Sequence, residues 1–122
     1  MGHGDELVIA DGNFPAASSA RRLVRSDGHP VPEILDAVLS LIPLDQYDEQ
    51  HVALMEVVPG DPAKPEIWET FRTIIKRHEP EFGEFAMIER FAFYERAKRA
   101  FAVVATGETS LYANVIVKKG VL

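Results

Sequence analysis

The run Leu7-Val8-Ile9-Ala10 is apolar without interruption and stops at one carboxylate, Asp11. A strand with one wet face alternates apolar and polar residues. A continuous run suits a strand covered on both faces. Such sheets are built from strands that alternate with helices. The rest of the chain keeps that alternation. Residues 6–10, 21–25, 51–58, 86–89, 101–105 and 114–118 read as strands. Residues 32–42, 65–78 and 91–99 read as helices. Pro32 and Pro65 open the first two of these, and Pro43 closes the first. Glu95 is spaced to pair with Arg99, and Lys118-Lys119 reads as a solvated strand end. The expected architecture is α/β: a single domain with a central mixed, partly parallel sheet flanked by helices.

A length of 122 residues suits one domain with one core. The net charge of −6 argues against nucleic acid and anionic membrane surfaces as partners. Cysteine is absent, which excludes disulfides, thiolate catalysis and cysteine–zinc sites. It also fits a reducing compartment, so the cytoplasm is the expected location. No apolar stretch approaches the roughly 20 residues that span a bilayer, and no signal peptide is evident. His51 and His78 lack partners at metal-ligand spacing, so no metal site is expected.

Functional candidates gather at strand ends. His3 sits between Gly2 and Gly4, just ahead of the first strand. Asp11 ends that strand, at the edge where open α/β sheets bind ligands. Arg90 follows another strand, and Tyr112 lies in the loop entering the last one. An acid/base group and a carboxylate bracketing one strand suggest a site for a small polar ligand. Each residue also has a structural reading. His3 is an idle solvated side chain, and Asp11 makes a turn with Gly12-Asn13. Arg90 joins a surface ion pair. Tyr112 and Trp68 pack in the core, and Asn114 is a turn residue. Phe91, Phe93 and Phe101 are expected in the core or in subunit contacts.

Four segments occur together and in order. They are Met1-Gly2-His3-Gly4-Asp5-Glu6, Ala10-Asp11-Gly12-Asn13-Phe14-Pro15, Arg90-Phe91-Ala92-Phe93-Tyr94-Glu95-Arg96-Ala97, and Thr106-Gly107-Glu108-Thr109-Ser110-Leu111-Tyr112-Ala113-Asn114 running on to Lys118-Lys119-Gly120-Val121. This pattern resembles the RbsD/FucU family of sugar mutarotases and pyranases over nearly the whole chain. Arg90 in the third segment resembles the L-fucose mutarotase branch, since the ribose pyranase branch carries histidine near that place. The resemblance implies a cofactor-independent enzyme that interconverts α and β anomers of L-fucose or a related monosaccharide. It implies that His3 is the proton donor and that Asp11, Arg90, Tyr112, Ala113 and Asn114 bind the sugar. It further implies a ring oligomer, commonly a decamer of two pentamers, in which a neighbour completes the site. The aromatic-rich stretch 91–101 fits such self-association. Members of the family carry about five turns of helix before the Gly-His-Gly segment. The chain begins at Met1, so either that helix is absent or the start is internal to a longer gene product. Alternatives are a non-catalytic monosaccharide-binding protein and ribose pyranase-like activity.

The residue types suit the chemistry. Changing an anomer requires a base at the anomeric hydroxyl and an acid at the ring oxygen. The reaction also runs unaided in water, so positioned acid/base groups worth about 10²–10⁴-fold each suffice. No metal, nucleotide or electron carrier is required. Imidazole titrates near neutrality, carboxylate and amide hold hydroxyls, and guanidinium offers a rigid fork of donors.

Overall fold

The structure, a computed structural model, describes residues 1–121. The elements run β1 (Glu6–Ala10), α1 (Ala16–Ser19), β2 (Leu23–Ser26), α2 (Val31–Leu41), β3 (Val52–Met55), α3 (Ile67–His78), β4 (Ala86–Ile88), α4 (Arg90–Lys98), β5 (Ala102–Thr106) and β6 (Val115–Lys118). One six-stranded sheet has the order β2-β5-β1-β6-β3-β4. β1 pairs in parallel with β5, β5 with β2, and β3 with β4. β6 is inserted antiparallel between β1 and β3. The first five strands therefore share one direction, and β6 opposes them. The expected mixed sheet flanked by helices is what the chain forms.

Because side chains alternate along a strand, the two faces carry separate cores. Leu7 and Ile9 face Val31, Leu35 and Leu39 of α2 and Phe71 and Ile75 of α3. Val8 and Ala10 face Phe14, Ala16 of α1, and Phe93 and Ala97 of α4. Helices thus cover both sides, which is why Leu7–Ala10 of β1 are all apolar and buried. Each fully buried aliphatic or phenylalanine side chain contributes about 1.5–3 kcal/mol.

Some local expectations change. The short α1 had no periodic signal, being only four residues. β2 starts two residues later than expected, and β3 stops at Met55. Glu95 pairs with Lys98 at 3.2 Å, not with Arg99. Lys118 is not a free solvated end, because its ammonium lies 2.6 Å from Asp48. Phe93 is buried and Phe91 is exposed. No helix among the described residues is long and apolar enough to cross a membrane.

The strand directions define two functional edges. The carboxyl ends of β1, β3 and β4 meet the amino end of β6 at one edge. The amino ends of β1 and β3 meet the carboxyl end of β6 at the other.

Candidate active site

At the first edge lies a cavity of about 230 Å³ lined by Asp11, Phe14, Asp61, Arg90, Tyr112 and Asn114, among others. This is smaller than the roughly 300–1,000 Å³ of drug-sized sites, and it suits a single sugar ring. The polar groups arrive from several strand ends. Asp11 follows β1 directly. Arg90 opens α4 one residue after β4, where the Glu89 carboxylate caps the helix by accepting the Ala92 N–H. That cap fixes where the guanidinium starts, and the guanidinium stacks 4.6 Å from the Phe91 ring centre. Tyr112 and Asn114 come from the loop that enters β6.

That loop is tightly anchored. Gly107 donates its N–H to the His29 carbonyl at 3.1 Å. A Cβ on Gly107 would stand 2.0 Å from the Asp27 carbonyl oxygen, so only glycine fits. Buried Glu108 accepts the Val31 and Ser110 N–H groups. Its own carbonyl accepts the Gly12 N–H at 2.8 Å. The loop is therefore stapled to the turn that carries Asp11.

Asp11 and Asn114 lock each other. The Asn114 side-chain oxygen accepts the Asp11 N–H at 2.7 Å, leaving its amide NH₂ to donate elsewhere. The Asp11 carboxylate accepts the Asn13 N–H at 3.0 Å and the Ala113 N–H at 3.3 Å. Burial raises the Asp11 carboxyl above its ordinary range, against the pull of hydrogen bonds from Asn13, Ala113 and Phe14. Ala113 is fully buried and meets the site through its backbone. The cavity offers carboxylate and phenol oxygens as acceptors and guanidinium and amide as donors. Phe14, Met55, Val58 and Leu111 supply apolar wall. This is a set for a neutral polyhydroxylated ring.

His3 stands elsewhere. It precedes β1, so the five residues of that strand, roughly 17 Å, separate it from Asp11. Its imidazole lies 3.1 Å from the buried Asp45 carboxylate, at the second edge. Burial pushes the Asp45 carboxyl up, but hydrogen bonds from His3 and from the Asp48 and Tyr47 N–H groups together hold it below the usual range. Within this chain the fold gathers Asp11, Arg90, Tyr112 and Asn114, and it holds His3 apart. The sequence reading missed Asp45, Asp61, Phe14 and Tyr94. Phe14 and Tyr94 carried faint signals: one sits in the Asp11 segment, and the other lies four residues past Arg90 on the same helical face.

The profile of the RbsD / FucU transport protein family matches residues 1–122. The chain belongs to the RbsD/FucU family. Among curated relatives, the fucose mutarotase of Danio rerio is 52% identical over 100% of this chain and 82% of its own length. Among solved structures, the fucose mutarotase of Streptococcus pneumoniae in complex with L-fucose superposes with a TM-score of 0.95 at 52% identity, covering 100% of this chain and 86% of the other. FucU from Bifidobacterium longum superposes at 0.97 with 50% identity, covering 100% and 87%. At these TM-scores the relatives share the fold of the present chain. Among the described residues no cluster of three or more His, Asp or Glu could hold a metal ion.

Proposed function

We infer that this protein interconverts the α and β anomers of L-fucose by general acid/base ring opening, without a cofactor. The observation that carries this reading is the edge cavity. Asp11, Arg90, Tyr112 and Asn114 converge there in a chain half identical to fucose mutarotases. Asp11 accepts sugar hydroxyls, while Arg90 and the Asn114 amide donate to sugar oxygens. Ala113 holds Asp11 through its N–H. The methyl group of a 6-deoxy sugar suits the apolar wall formed by Phe14, Met55 and Leu111.

In this reading His3 works in the cavity of a neighbouring copy. Asp45 fixes its ring orientation. A proton leaves the anomeric hydroxyl, another reaches the ring oxygen, and the C1–O5 bond breaks to give the open aldehyde. Rotation about C1–C2 and reversal of the proton transfers close the ring on the other face. Support comes from exposed apolar residues at both edges: Tyr47 beside His3, Leu111 in the cavity wall, and Phe91 against the Arg90 guanidinium. We therefore propose a ring oligomer, a decamer, and a cytoplasmic location consistent with the cysteine-free chain.

The separation of His3 from the cavity favours one second reading, a monosaccharide-binding protein without catalysis. Saturation-transfer NMR decides between them. The mutarotase reading predicts faster α/β exchange for L-fucose than in buffer, and faster than for ribose or galactose in the same panel. Binding with exchange at the spontaneous rate would reject catalysis.

A further inference from the structure

Tyr112 is the one non-glycine residue with a positive φ, +56°, among those described. Residues with a Cβ occupy this region only when their surroundings hold them there. Three hydrogen bonds do so, two to the segment joining β3 to α3 and one from the first turn of α3. The Trp68 indole N–H donates to the Tyr112 carbonyl at 2.8 Å. The Val58 N–H donates to the Tyr112 hydroxyl at 3.2 Å. That hydroxyl donates in turn to Asp61 Oδ2 at 2.5 Å. Asp61 is itself fixed, because its Oδ1 accepts the Ala63 N–H at 2.9 Å.

A phenol has one proton and two lone pairs. Here the proton is committed to Asp61 and one lone pair to Val58. One lone pair remains, and Tyr112 lines the sugar cavity together with Asp61. We propose that Asp61 and Trp68 are positioning residues for the sugar reaction, holding Tyr112 in its left-handed turn with the hydroxyl proton turned onto Asp61, so that the phenol oxygen meets the sugar as a hydrogen-bond acceptor. This rests on the sugar-site reading above. The hydrogen bond to Tyr112 lowers the Asp61 carboxyl, and the same bond raises the Tyr112 phenol. The carboxylate thus stays charged and the phenol keeps its proton. Arg90 and the Asn114 amide are left as the donors of the cavity. Trp68 couples the first turn of α3 to the site through a carbonyl, so its contribution is the turn's conformation.

The test is a cycle of Asp61→Asn, Trp68→Phe and Tyr112→Phe, singly and paired. The protein has three tyrosines, and the Tyr112 ionisation is isolated by subtracting the ultraviolet phenolate titration of Tyr112→Phe. Asp61→Asn is expected to move that titration to lower pH. It is also expected to reduce kcat/KM for L-fucose exchange about tenfold. In a Tyr112→Phe background the same change is expected to cost less than about twofold. Trp68→Phe is expected to behave likewise in kcat/KM. An unmoved phenol titration in Asp61→Asn overturns the proposal, and so does an equal loss in both backgrounds. If the wild type fails to accelerate exchange, the functional reading fails, and the phenol titration still decides whether Asp61 orients Tyr112.

Discussion

Gly107→Ala tests how the site is held. The added Cβ would lie 2.0 Å from the Asp27 carbonyl oxygen, whereas real Cβ atoms essentially never approach within 3.0 Å of such an atom. The two backbones must separate by about 1 Å. Neither is a flexible side chain, so the strain passes into the Gly107–His29 hydrogen bond and the Glu108 staples. The expected loss of stability is about 1–3 kcal/mol, the range for inserting a methyl group where none fits. Activity should fall as well, because the displaced loop carries Tyr112 and Asn114. A misplacement of 1 Å costs up to about 10²-fold in rate. Urea unfolding gives the first quantity, and α/β exchange of L-fucose gives the second. Gly28→Ala is the control, since nothing lies within 4 Å of its Cβ position. That control should match the wild type in both assays. A Gly107→Ala protein with full activity and unchanged unfolding would refute the claim that this close approach sets the site.

Two other perturbations probe the second edge. Arg96 and Glu6 form a paired fork at 2.9 and 2.7 Å with side chains 10% and 17% exposed. Glu6→Gln leaves that guanidinium without its counter-charge and should cost about 3 kcal/mol, whereas Glu6→Leu with Arg96→Met should be near neutral in the same unfolding assay. Lys118 and Asp48 pair at 2.6 Å, and the hydrogen bond raises the lysine and lowers the carboxyl. A lowered carboxyl stabilises the fold above its unfolded value, and that contribution fades as pH falls through the lowered value. A raised lysine stabilises below its unfolded value, and its contribution fades as pH climbs past the raised value. Lys118→Gln should therefore cost about 0.5–1 kcal/mol at pH 7, and the difference should shrink both below pH 3.8 and above pH 10.5.

What could be read from the sequence was what repeats locally. The unbroken run Leu7–Ala10 announced a strand covered on both faces, and β1 sits between β5 and β6. α2 and α3 showed their apolar stripes. α4 did not: its buried face includes Arg96, which is tolerable only because Glu6 lies 90 residues away in the chain. The direction of β6 was hidden for a related reason. Apolar content marks a strand but not which way it runs, and that direction decides which strand ends share an edge. The carboxyl edge of the sheet drew attention to Asp11 and Arg90, which line one cavity. It could not show that His3, only eight positions before Asp11, would sit on the opposite edge. Asp45 and Asp61 act through long-range hydrogen bonds and carry no local pattern, and Trp68 showed only as part of the apolar face of α3.

In the proposed reaction the sugar cavity and the proton-transferring histidine meet only when copies of the chain come together. Co-expressing His3→Ala with Asp11→Asn tests this directly, read as α/β exchange of L-fucose. Each variant alone should run at the spontaneous rate. The mixed assembly should regain acceleration, because some interfaces then pair an intact cavity with an intact imidazole. A mixed assembly as slow as either variant, beside an active wild type, would contradict the account.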